Sequence, residues 1–176
     1  MGWLVLVIKR RLTINAEEIA EDLASVLDNV LVYEPSTEKD FCNVVYACLC
    51  LLPSTAGYKI SVDPDPVSYM GKTHKPDISI QDQIALELKV AKTRRAAVSA
   101  IKQAEIYRDG GYPAAFAVIY ISTPYELEIE EEMKLKRKRI YPIIITGQAA
   151  WAAKSNFYLR MRENSFWRWG ELVLPM

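Results

Sequence analysis

Net charge is what this 176-residue chain most plainly lacks, since 22 Lys and Arg balance 22 Asp and Glu. That balance argues against a protein whose grip on a long duplex comes mainly from neutralised phosphates, because such proteins carry a basic excess. Long apolar runs are also missing, which excludes a spanning helix. Trp3 to Ile8 is apolar, but it is too short for a signal-peptide core and is followed by Lys9-Arg10-Arg11 rather than a cleavage site. It is expected to open a strand, and the protein to be cytoplasmic (intracellular) with no membrane partner. Cysteine is scarce: Cys42, Cys48 and Cys50 fall close together and none lies downstream. Buried free thiols in a reducing compartment are the simplest reading. There is no low-complexity segment and no internal repeat. With 51% of its residues apolar, the chain is expected to form one domain over 1–176 with a sizeable core.

The most informative stretch is residues 76 to 89, Pro-Asp-Ile-Ser-Ile-Gln-Asp-Gln-Ile-Ala-Leu-Glu-Leu-Lys. Ile78 and Ile80 alternate before Gln81-Asp82-Gln83, and Ile84, Leu86, Leu88 and Val90 alternate after it, so the segment predicts a β-hairpin. Register follows from parity. Cross-strand partners share a face, so the apolar sets bury together only if paired residue numbers add to an even sum. Ile80 with Ile84 and Ile78 with Leu86 meet that condition. The same register sets Asp77 opposite Glu87, with Lys89 farther along the same face.

Two carboxylates held close raise each other's pKa unless a cation lies between them, so this grouping invites a divalent metal. Hard oxygen ligands with positions left for water and phosphate suit Mg2+ or Mn2+. Such an ion lowers the pKa of a water and polarises a phosphoryl oxygen. Lys89 would steady the attacking water or the charge that develops on phosphorus. The plain alternative is a solvated hairpin face carrying an ordinary Glu/Lys pair.

Thr93 to Arg108 reads as an amphipathic helix stopped by Gly110-Gly111. Gln103 and Tyr107 lie on one face of it. With Pro76-Asp77, then Glu87-Leu88-Lys89, then Gln103-Ala-Glu-Ile-Tyr107, the chain resembles the PD-(D/E)xK nuclease superfamily in its RecB-like branch. The resemblance implies an α/β, restriction-endonuclease-like core with a mixed central sheet flanked by helices (α-β-β-β-α-β). It implies metal binding by Asp77 and Glu87, catalytic assistance by Lys89, and roles for Gln103 and Tyr107 in organising the site or substrate. Some RecB-like nucleases hold an iron–sulphur cluster on four cysteines split between the two ends of the domain. That pattern is missing here, so no iron–sulphur cluster is expected.

The core order can be laid along roughly residues 37 to 121. Thr37 to Leu52 is a helix stopped by Pro53, with Phe41, Val45, Cys48 and Leu52 on its buried stripe. Tyr58 to Val62 is the first strand, and the hairpin supplies the next two. Ala114 to Ile121 is a continuous apolar run, as expected of a strand buried on both faces. Tyr141 to Thr146 is a further strand. An opening helix, Ala16 to Val32, reads as scaffold with Glu17, Glu18, Glu21 and Asp22 exposed. Many family members place another metal-binding Glu on the first core helix. Glu38 is the candidate here, with Glu34 behind it, although an acidic residue in a first turn is equally explained by the helix dipole.

The remaining charge is local. Glu126 to Glu132 is acidic and Lys134 to Arg139 basic, which suggests one solvated helix with Glu130–Lys134 and Glu132–Lys136 pairs, or else an arm that grips DNA. Lys92, Arg94 and Arg95 follow the catalytic strand directly and are the substrate-phosphate candidates; ordinary surface charge is their alternative. His74, the only histidine, precedes Asp77 by three and is given no role. From Asn156 the tail interleaves Phe157, Tyr158, Arg160, Arg162, Phe166, Trp167, Arg168 and Trp169, which suits either stacking on single-stranded bases or packing at a core or dimer interface.

The expected activity is therefore Mg2+- or Mn2+-dependent hydrolysis of DNA phosphodiesters by metal-activated water, in repair, recombination or replication. Two alternatives stay open. A structure-selective endonuclease such as a Holliday-junction resolvase would call for a homodimer or higher oligomer. A DNA-binding protein could keep the fold without cleaving.

Overall fold

The computed structural model describes residues 14–31, 34–122 and 127–147. The expected strand at Trp3 to Ile8, the Glu126 end of the acidic run and the aromatic tail from Asn156 lie outside them. Chain order is α1 (Ala16–Val30), α2 (Glu38–Leu51), β1 (Ile60–Val62), β2 (Val67–Tyr69), β3 (Lys72–His74), β4 (Ile78–Ile80), β5 (Ile84–Ala91), α3 (Arg94–Asp109), β6 (Ala114–Ile121), α4 (Ile129–Arg137) and β7 (Ile140–Thr146).

The helix starts are written locally. Asn15, Thr37 and Thr93 each accept a hydrogen bond from the backbone N–H three residues on, at the N-caps of α1, α2 and α3. Acidic residues follow the first two caps, where the dipole favours them. α2 stops before Pro53. α3 stops at Gly110, and Gly111 takes the left-handed φ of 120° that releases the chain.

The strands form a five-stranded sheet in the order β1-β4-β5-β6-β7. β1, β4 and β5 are antiparallel, whereas β5, β6 and β7 are parallel. The sheet is mixed, and α1 and α2 cover one face while α3 covers the other, as the α/β expectation required. The β4–β5 register is Ile78 with Leu86 and Ile80 with Ile84, the pairing that parity demands. Gln81 and Asp82 take left-handed φ values of 52° and 53° in the connecting loop. β6 is buried along its whole length.

Alternation along β5 sorts the two cores. Ile84, Leu86 and Leu88 pack beneath α1 and α2 with Phe41, Val45 and Leu49, while Ala85 and Ala91 face α3. Glu87 and Lys89 fall between those alanines in the α3-facing set. That side is rich in alanine. Ala97, Ala100 and Ala104 of α3 share this core with Ala85, Ala115 and Ala117 of the sheet, beside the larger Ile101, Tyr107, Ile119 and Ile121. Filling this layer is expected to be costly. Ala104, fully buried, changed to Leu should lower stability by about 1–3 kcal/mol through overpacking, measurable as a lower urea midpoint with an unchanged m value.

Several expectations need correction. The first strand is Ile60–Val62, without Tyr58 and Lys59. A second hairpin, β2–β3, is inserted between β1 and β4 and forms its own two-stranded sheet. Leu49 joins the buried stripe of α2, whereas Cys50 is exposed and Cys42 only half-buried. α2 is apolar nearly all round, so periodicity could not choose its inner face. Asp22 is half-buried rather than exposed. On α4 the Glu132–Lys136 pair forms at 3.8 Å, and Lys136 also reaches Glu17 of α1 at 3.7 Å. No Glu130–Lys134 pair forms among the described residues. No helix among the described residues is long and apolar enough to cross a membrane.

Candidate active site

β4 pairs with β5 only as far as Ile78 and Leu86, so β5 has no strand beside it on that edge from Glu87 onward. Asp77 closes the first part of this gap. Its backbone N–H donates to the Leu86 carbonyl at 3.0 Å, and its carboxylate Oδ2 accepts the Leu88 N–H at 2.7 Å. The side chain takes the place of the missing strand, and this fixes the carboxylate next to Glu87.

Glu87 points at α3, whose closeness is set by the alanine layer. There its Oε2 lies 2.7 Å from the Tyr107 hydroxyl, and that hydroxyl lies 2.8 Å from the Lys75 carbonyl oxygen. Tyr107 has a single proton to give. The hydroxyl therefore shares that proton between two acceptors, the Glu87 carboxylate and the Lys75 carbonyl. Burial pushes the Glu87 carboxyl up to about 7; the Tyr107 hydrogen bond opposes the rise, Asp77 adds to it, Lys89 opposes it, and Glu38 adds to it. Asp77 is raised as well, first by burial, against the Leu88 N–H, then by Glu38, against Lys89, and by Asp63. Burial and the bond to Glu87 push the Tyr107 phenol well above its ordinary range.

Lys89 leaves Glu87 partly uncompensated because its ammonium pairs with Glu38 Oε1 at 2.5 Å. The resemblance-based candidate Glu38 therefore does reach the site, from the first turn of α2. Glu34 does not: its charge acts on Tyr120. Gln103 lies beside the Tyr107 hydroxyl, and its amide Nε2 stands 3.0 Å from His74 Nδ1. Lys92, Arg94 and Arg95 are exposed where β5 passes into α3, next in the chain after Lys89.

Two groups were missed or left without a role. Asp63, one residue past β1, donates its N–H to the Asp77 carbonyl at 2.9 Å and pairs with Lys75 at 3.0 Å. Its signal was the β1–β4 register, in which Val62 faces Ile78. His74 is tied to α3 only because an unforeseen hairpin carries it there.

Glu38, Asp63, Asp77 and Glu87 thus stand against Lys75 and Lys89, so four carboxylates and two ammoniums leave two negative charges when all are ionised. A divalent cation is the group that such a surplus suits. Among the described residues no three His, Cys, Asp or Glu side chains converge as a ready cage. Mg2+ asks for less, binding through one or two carboxylates while keeping waters and taking phosphate oxygens. On that standard Asp77 and Glu87 fit it. No family model, curated protein or solved structure matches the chain.

Tyr107→Phe tests the linkage. It is expected to cost about 1–2 kcal/mol by stranding the Lys75 carbonyl and the Glu87 carboxyl, read by chemical denaturation. Because the phenol holds the Glu87 pKa down, any metal-dependent activity should also need a higher pH in the variant.

Proposed function

We propose that this protein is a Mg2+- or Mn2+-dependent DNA nuclease of the PD-(D/E)xK type, nearest the RecB-like branch. One observation carries the reading: the Tyr107 hydroxyl of α3 lands on the Glu87 carboxylate of β5 while Asp77 caps Leu88 beside it. Residues drawn from three separate motifs meet around one acidic pair, and a decorative hairpin face would give no reason for that convergence.

In this reading Asp77 and Glu87 hold the divalent cation. The ion, when bound, supplies Lewis acidity toward the phosphoryl oxygen and lowers the pKa of water. Tyr107 and Gln103 orient Glu87 and keep its carboxylate on the α3 side of the sheet. Lys89, on the open edge of β5, steadies the attacking water or the charge developing on phosphorus. Lys92, Arg94 and Arg95 meet flanking phosphates.

The test is cleavage of end-labelled linear, circular and branched DNA with Mg2+ or Mn2+, comparing the wild type with Lys89→Ala and Glu87→Ala. Metal-dependent cutting that both variants lose supports the nuclease. Fixed-polarity degradation from ends marks an exonuclease, whereas cutting confined to branches marks a resolvase. A wild type that binds DNA and cuts none of these substrates would sink the reading in favour of a non-cleaving binder.

A further inference from the structure

The β2–β3 hairpin is the part of the fold that neither the core nor the candidate chemistry explains. Its strands are three residues long, too short to hold a shape alone. Its root is nevertheless fixed to α3 at several points. Val67 packs into the α3-facing core, close enough that any side chain at Gly110 would press on it. His74 meets Gln103 at 3.0 Å, and the next carbonyl, that of Lys75, meets the Tyr107 hydroxyl at 2.8 Å. The hairpin therefore projects from the same two side chains that organise the candidate site.

Its tip breaks a local rule. Met70 and Gly71 both take left-handed conformations, with φ of 49° and 73°, the pattern of a type I′ turn. Asn or Asp followed by Gly is the sequence such a turn favours. This chain places Met at the first position instead, and leaves it 85% exposed. A strained, solvent-facing apolar side chain at a hairpin apex has no folding benefit to account for it. On either side of it Tyr69 and Lys72 are cross-strand partners, a ring and an ammonium flanking the apex.

We propose that this hairpin is a wedge for duplex DNA: Met70 enters between bases beside the phosphate held at the active site, Tyr69 stacks on an opened base and Lys72 meets the backbone. This rests on the nuclease reading and deepens it, naming a double-stranded substrate that is opened locally before it is cut. Apolar side chains of this kind unstack base steps when inserted, and aromatic rings bind the exposed faces. The scale fits. Strands of this length put the apex about 10 Å from the root, or roughly three nucleotides along a strand.

The experiment uses the full chain and a duplex with 2-aminopurine at each of the last few base pairs, in EDTA so that nothing is cut. The wild type is expected to raise the fluorescence of one or two adjacent positions. Met70→Asn should abolish that rise while melting at the same or a higher temperature, because Asn suits the left-handed turn. With metal added, the ratio of duplex to single-strand cleavage should fall about tenfold in the variant, the loss of one stacking-sized contact. A wild type that unstacks no position overturns the wedge even if it cuts DNA. A Met70→Asn variant that unstacks and cleaves like the wild type overturns it too, and would turn the tip toward a protein partner. If no metal supports cleavage of any DNA, the nuclease reading fails separately, and the fluorescence comparison still decides the hairpin.

Discussion

Lys89→Ala should lower metal-dependent cleavage by roughly 10²–10³-fold, the usual loss when a charge-stabilising donor is removed from a reacting centre, while leaving metal affinity intact or tighter. The two readouts separate because of where the ammonium sits. It is paired to Glu38 at 2.5 Å and only partly relieves Asp77 and Glu87. Deleting it removes positive charge from the site and frees the Glu38 carboxylate, both of which favour a cation. Single-turnover cleavage measures the first effect and titration calorimetry with Mn2+ the second. Equal losses in both would mean that Lys89 holds the acidic residues together and takes no part in chemistry.

Glu87→Gln should make the metal-free protein more stable above neutral pH and nearly abolish its response to metal. The sign follows from the proton balance. Glu87 has a folded pKa of about 7 against an ordinary 4.5, so between those values the folded state binds more protons than the unfolded one. Stability is then full below about 4.5 and is lost as pH rises through about 7, by at most about 3 kcal/mol. Glutamine keeps an oxygen for the Tyr107 hydroxyl and never ionises. The variant should melt several degrees above the wild type at pH 8 and together with it at pH 4. A metal bound through Glu87 as proposed would have to displace its proton, so below pH 7 affinity should climb with pH and proton release should accompany binding. Melting curves across pH, with and without Mn2+, test every part. A variant no more stable at pH 8 would mean that burial does not raise the Glu87 pKa in the fold.

Much of this geometry was legible because it is governed by parity. Ile78, Ile80, Ile84 and Leu86 can share a core in one register only, and that register carries Asp77 to Glu87 whatever their chemistry. Thr93 and Gly110 bounded α3, and spacing put Gln103 and Tyr107 on one face. Other features had no such constraint. Val67 to His74 buries too little to show alternation, and Met70-Gly71 is not a favoured turn pair, so β2–β3 left no readable trace. With it went the place of His74 and the Lys75 carbonyl. The Lys89–Glu38 pair joins a strand to a helix on the opposite layer, and no local pattern encodes such a contact. Cys50 was misjudged because a helix apolar all round hides which side faces in.

The alanine-rich layer between α3 and the sheet has a consequence for how this sequence can vary. Ala97, Ala100, Ala104, Ala115 and Ala117 touch no substrate in any reading of the site, yet they set the spacing across which a phenol reaches a carboxylate. In a saturation library selected for activity rather than for folding, those positions should accept little beyond Gly and Ser and should behave like active-site residues. Larger side chains would survive only in pairs that return volume across the gap. Drift in the chain would then be slowest at its smallest and least reactive side chains.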